Sequence, residues 1–220
     1  MNPILAAATL LILGRVYAQG PETIPFKRTF KLNESSVYAC TFASPGQKAK
    51  MTSAVACTVT KLEAGSATVE YKALDVIVDG KLNKSPAPAL TSKVGANDMP
   101  EEALPSHQDD ILFVVLGAAS ITPNASVDPA HPVKVHWDNK SGNLSFDGSG
   151  TIKAIDKTAK TLTVEWDLTM NSPGYPAGQY KLTSVYSTDD FSLKSSNGTV
   201  TINNAPPMAV SISKAEAANR

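Results

Sequence analysis

The residues able to do chemistry are few and scattered: His107, His131 and His136, the acid pairs Asp109-Asp110 and Asp189-Asp190, and two serine motifs. A metal needs several ligands converging at about 2 Å. On an extended segment His131 and His136 stand about 17 Å apart and point to opposite faces, so no metal site is expected. Adjacent carboxylates diverge on a strand, and at a helix start Asp109-Asp110 would simply oppose the positive end of the macrodipole. Neither pair reads as a glycosidase dyad. Gly148-Ser-Gly150 falls short of the Gly-x-Ser-x-Gly elbow of hydrolases. Ser211-Ile-Ser-Lys214 has Ser-x-x-Lys spacing, which needs one face of a helix. It lies in a strand-like segment, where an offset of three sends the two side chains to opposite sides. No glycine pattern for phosphate or dinucleotide binding occurs between a strand and a helix. The expectation is a protein without catalytic residues, metal or cofactor.

Cys40 and Cys57 are the remaining reactive candidates. Both fall on the apolar parity of segments that should pair as a hairpin, Ser36 to Ser44 and Met51 to Lys61. A long loop centred near Gln47 to Lys50 would set them nearly opposite and allow a disulfide, which needs Cα atoms within about 7 Å. A tight turn at Pro45-Gly46 would instead put Cys40 opposite Ser53 or Ala54 and leave both as small buried core residues.

Strands must position these groups. From Lys160 to Met170, Leu162, Val164, Trp166, Leu168 and Met170 share one parity, and Thr161, Thr163, Glu165, Asp167 and Thr169 the other. Alternation of this length describes a long strand with one buried and one wet face. Weaker alternation marks Phe26 to Leu32 and Ala67 to Val78. In the latter the apolar parity changes between Tyr71 and Leu74, as a β-bulge would require. A second series runs Val133 to Trp137, Leu144 to Ile155, Gln179 to Ser187, Phe191 to Ile202 and Met208 to Ser213. Asn139 to Gly142, Asp156 to Ala159, Ser172 to Gly174 and Asn197-Gly198 supply turn chemistry between or within them.

The middle of the chain is different. Pro86, Pro88, Pro100 and Pro105 punctuate a weakly periodic stretch, residues 80–105, expected to be a flap or partly helical. Within it Asp98-Met-Pro-Glu101 could cap a short helical turn. Residues 107–116 read as a helix capped at Ser106 to Asp109 and stopped by Gly117, although Val114 and Val115 leave a buried strand open for 111–116. The fold class expected is mainly β to α+β: a curved antiparallel sheet, open or a half barrel, with one or two short helices in the middle of the chain. Residues 19–220 would form a single domain.

Ile4 to Leu13 is an apolar run, and Val16-Tyr17-Ala18 carries small residues where a signal peptidase reads. Residues 1–18 are therefore expected to be a secretory signal cut after Ala18, and the protein to be periplasmic or extracellular. No later apolar run reaches the length of a transmembrane helix, so none is expected in the mature chain. Basic and acidic residues balance at 20 each, so bulk charge draws no nucleic acid.

Phe30-Lys31-Leu32, then strands, then Pro132-Val133-Lys134-Val135 with Trp137 behind it, resembles an uncharacterised group of bacterial secreted or periplasmic β-rich proteins. In these domains of unknown function the second motif usually runs Pro-Val-Lys-Val-Gly-Asp-x-Trp, and His136 stands here where that Gly would be. The resemblance implies a likeness in outline to the lipoprotein-carrier fold, a curved antiparallel sheet clasping helices, and no catalytic residue. The functional expectation is a non-enzymatic cell-envelope protein binding a lipid or other apolar ligand, lined by Phe42, Tyr71, Phe113, Trp166 and Leu168. The alternative is a structural or protein–protein interaction module of the envelope, in which those residues fill a closed core.

Overall fold

A computed structural model describes residues 23–44, 50–74, 76–84, 89–101, 110–139, 144–172, 175–202 and 205–215. The strands are β1 (Ile24–Phe26), β2 (Ser35–Ala43), β3 (Lys50–Glu63), β4 (Ser66–Ala73), β5 (Val76–Val78), β6 (Lys81–Lys84), β7 (Leu90–Gly95), β8 (Ala125–Val127), β9 (Val133–Asp138), β10 (Ser145–Asp156), β11 (Thr161–Ser172), β12 (Tyr175–Ser187), β13 (Leu193–Ile202) and β14 (Met208–Lys214). The helix α1 (Asp110–Ser120) separates the two strand series. Twelve strands form one antiparallel sheet, open rather than closed into a barrel, in the order β6-β5-β3-β2-β14-β13-β12-β11-β10-β9. Off this path β4 pairs with β3 and β7, and β1 pairs with β8 in a separate ribbon. The last strand, β14, lies between β2 and β13 and so zips the two series into one sheet.

The alternation of β11 decides how the sheet packs. Leu162, Val164, Trp166, Leu168 and Met170 are all buried, and Glu165, Asp167 and Thr169 are exposed. Bulky residues on this strand need room, and β10 supplies it with glycine. Gly150 stands opposite Trp166 and Gly148 opposite Leu168. A Cβ on Gly150 would come within 2.5 Å of the indole ring. The Gly148-Ser-Gly150 motif is thus a packing device, a strand glycine where another group approaches closely. Asn197-Gly198, which reads as a turn, likewise lies inside β13, with Gly198 across from Leu182.

The same strand fixes the helix. Trp166 Nε1 donates to the Tyr186 hydroxyl at 2.8 Å, and that hydroxyl lies 2.9 Å from the Ala119 carbonyl and 3.0 Å from that of Ile121. Ser184 Oγ donates to the same Ala119 carbonyl at 2.9 Å. The last carbonyls of a helix lack intrahelical partners, and here β12 provides them, so α1 packs against β12 and β13. Tyr186→Phe should leave the Trp166 N–H and the Ile121 carbonyl without this partner in a dry core, while Ala119 keeps Ser184. The expected cost is about 1–2 kcal/mol, read from the urea midpoint at unchanged m-value.

Several elements depart from the sequence expectations. Residues 27–34 are not a strand: they form a strap whose backbone bonds to two loops and to β3, Arg28 N to Ala96 O, Thr29 N to Asp190 O and Asn33 N to Val59 O. The stretch 80–105 contains β6 and β7, and β7 pairs with β4 with Ser92 and Val94 buried on one parity. Asp98 to Glu101 forms a tight loop closed by Val94 bridging Pro100, not a helical turn. In the expected helix 107–116, residues 107–109 lie outside the described residues, and 111–116 is helical rather than a strand. The helix also runs through Gly117 to Ser120, and the glycine there makes room for Met99, whose Sδ lies 3.4 Å from where a Cβ would sit. Ala67 to Val78, expected to be one bulged strand, is divided between β4 and β5; the offset expected of a bulge falls between them, since Val55 faces Ala73 while Thr52 faces Ile77 and β3 has one residue fewer between these pairs.

The disulfide expectation is corrected. Cys40 pairs across the hairpin with Ser53, and Cys57 with Ser36, so the cysteines are four residues out of register. That offset is roughly 13 Å along the strands, beyond the reach of a disulfide. Both are free thiols. Burial pushes Cys40 up to about 12 and raises Cys57 well above its ordinary value, so neither is a ready nucleophile. Alkylation of the unfolded, unreduced protein should label both thiols in an intact-mass spectrum; a bridged species would show none.

Candidate functional site

The interior has two apolar clusters. The larger runs from Phe26, Tyr38 and Phe42 through Trp166, Leu168 and Tyr186 to Ile212, with α1 against it. The smaller gathers Val59, Ala67, Val69 and Val94 of β3, β4 and β7. Cys57 and Tyr71 pack against both clusters. A cleft of about 680 Å³, counting its open mouth, lies at this seam. Its apolar wall is Phe30, Tyr38, Val59, Val69, Tyr71 and Leu116, and its polar end is Arg28, Glu34, Asp98, Ser36 and Ser120.

Arg28 organises the polar end. Its side chain is only 6% exposed, and its guanidinium meets Glu34 Oε1 at 2.5 Å, Asp190 Oδ2 at 3.6 Å and Asp98 Oδ1 at 4.0 Å. It also donates to the carbonyls of Thr29 and Asp190 and lies 4.7 Å over the Phe30 ring. Three loops bring in the carboxylates, each through a left-handed residue: Asn33 before Glu34, Asp98 itself, and Phe191 after Asp190. Asn and Asp tolerate this region; Phe does not. The strain at Phe191, about 1–3 kcal/mol, is offset by burying its ring 5.4 Å from that of Phe26.

The electrostatics are uneven. Burial pulls the Arg28 pKa down, but Asp98, Glu34 and Asp190 together outweigh it and hold the guanidinium firmly charged. For Asp190, burial acts upward, but bonds from Ser192 and the charge of Arg28 bring it below its ordinary value. Asp98 goes the other way: burial pushes it up to about 6 against the pull of Arg28 and Ser120, helped by the like charges of Glu34 and Asp190. It is the carboxylate farthest from the guanidinium and the least compensated.

Of the residues expected to line an apolar site, Tyr71 does line this cleft, and Phe42, Trp166 and Leu168 are buried in the larger cluster. Phe113 belongs to α1, but its side chain lies outside the described residues. The Asp189-Asp190 pair divides: Asp189 meets Lys160 at 3.2 Å in the open, and Asp190 faces inward to Arg28. His136 on β9 sits between Asp147 at 2.6 Å and Asp138 at 2.9 Å, which raise its pKa, and His131 meets Asp128 at 2.8 Å. Among the described residues no group of three or more His, Cys, Asp or Glu is placed to hold a metal ion, and no helix is long and apolar enough to cross a membrane.

Comparison with protein-family models, curated proteins and solved structures gives no match. The site therefore stands on its own geometry. The sequence reading passed over Arg28, Glu34 and Asp98, yet one signal was there. Arg28 is the one arginine between Arg15 and Arg220; every other basic side chain in that span, histidine aside, is lysine. Arginine is the cation suited to buried, multiply bonded positions.

Proposed function

We propose that this is a non-enzymatic, exported binding protein of the cell envelope that takes an apolar or amphipathic small molecule in the cleft at the seam. The cleft carries the reading: a concave, mostly apolar surface with a few convergent polar groups at one end has the composition of a ligand site. Binding would use the aromatic and aliphatic wall for affinity and the Arg28 end for orientation. Cys57 is the one thiol in the lining; burial holds it protonated, and no histidine is among the lining residues described. Export, and with it the likeness to the carrier fold, rests on the N-terminal apolar run and on the motifs around Phe30 and Pro132.

Native mass spectrometry of protein purified gently from its own host tests the reading. A reproducible bound small molecule, lost in Val69→Phe because the added ring occupies the cleft, in protein that still melts cooperatively, is the expected result. Ligand-free protein under the same conditions would count against it. One observation favours a partner protein instead: Leu82 is 66% exposed and Ile77, directly across from it on β5, is 38% exposed, beside the sheet edge at β6.

A further inference from the structure

We infer that the cleft selects a ligand with a protonated amine or other cationic head, with Asp98 as its counter-ion, and discriminates against carboxylates. This rests on the cleft being a binding site. The cleft is lined by one cation, Arg28, and two carboxylates, Glu34 and Asp98, with a third, Asp190, against the same guanidinium. Among the described lining residues there is no lysine and no histidine.

Arg28 is not free to receive an anion. Its donors are directed to Glu34, to the carbonyls of Thr29 and Asp190, and to the carboxylate of Asp190. An incoming carboxylate would meet three like charges and a guanidinium already engaged. Asp98 is the group left short, with its nearest guanidinium nitrogen at 4.0 Å and its side chain only 17% exposed. A cation arriving through the mouth would complete that pairing in a partly dry site, where an ion pair is stronger than at the surface. Tyr38, Tyr71 and Phe30 line the same cleft, and aromatic walls favour cations further.

The groups facing Asp98 are Arg28 and Glu34 on the strap, Asp190 after β12, Ser120 on α1, and Tyr38, Cys57, Tyr71 and Tyr186 on β2, β3, β4 and β12. The last four are held above their ordinary values, first by burial, and are neutral at pH 7.5. Asp98 is thus the group in the cleft whose charge changes near pH 6, and amine binding should strengthen as pH rises through that value.

Isothermal titration at pH 7.5 with octylamine, 1-octanol and octanoate separates the possibilities. Octylamine should bind one site per chain at least about tenfold tighter than octanol, and octanoate weakest of the three. At pH 5 the amine-over-alcohol ratio should shrink, and in Asp98→Asn it should fall to within about threefold. Equal binding of amine and alcohol, or octanoate binding as tightly as octylamine, overturns the charge selection and leaves an apolar cleft. Failure of all three probes to bind overturns the binding reading as well.

Discussion

Arg28→Met should destabilise the protein by about 3–5 kcal/mol at pH 7.5, the cost of breaking a buried ion cluster by removing one side of it. In this chain of 220 residues that corresponds to a fall of roughly 10 °C in Tm. The methionine fills much of the same volume, so the loss is electrostatic: Glu34, Asp98 and Asp190 keep their loop positions without a counter-charge. The deficit should shrink in acid. Without the guanidinium these carboxyls hold protons more tightly folded than unfolded, so the variant gains stability relative to wild type as pH falls toward 5. Urea midpoints of both proteins at pH 7.5 and pH 5 measure this. A variant matching wild type at pH 7.5 would mean that the cluster is solvated rather than buried.

Asp98→Asn should do the opposite and stabilise the protein by about 2–3 kcal/mol at pH 7.5. Burial is the main reason that Asp98 sits near 6, above the value it has in an unfolded chain. The native state therefore holds this proton more tightly than the unfolded state between about pH 4 and 6, and wild-type stability falls as pH rises through that window. Asparagine resembles the protonated acid, does not titrate, and accepts the φ of 60° found at Asp98. Arg28 keeps Glu34 and Asp190. The gain should be present above pH 6 and absent near pH 4; a difference flat across that range would show that the carboxyl is not held high. A side chain that lowers stability in the resting protein, beside an open cleft, is what a binding site retains at the expense of the fold.

The strands were legible where one face meets the core and the other water, which is why β9 to β14 follow the alternation in the sequence so closely. The strap was misread for a physical reason. Phe30 and Leu32 share a parity, but Leu32 is 54% exposed, and Phe30 lies under Arg28 rather than in a sheet. The strap's partners are loops distant in sequence, at Ala96 and Asp190, and no local pattern announces them. The strand β7 was hidden because its buried parity is carried by only Ser92 and Val94 in a proline-rich stretch. Register is equally nonlocal: the choice between Cys40 facing Ser53 and Cys40 facing Cys57 depended on the turn, not on the strands. The apolar wall of the candidate site draws on β2, β3, β4 and α1, and Tyr71 was expected there from the strand pattern; the polar end is assembled from the strap and the loops after β7 and β12, and only the isolated arginine marked that end in advance.

Methyl NMR during a titration with 1-octanol, a probe without charge, tests most directly whether the seam between the two clusters is a binding site. Saturable shifts confined to Val59, Val69 and Leu116, with Val164 and Leu168 of the closed core unmoved, are the predicted result. Shifts only at the exposed Ile77 and Leu82, or none that saturate, would contradict it.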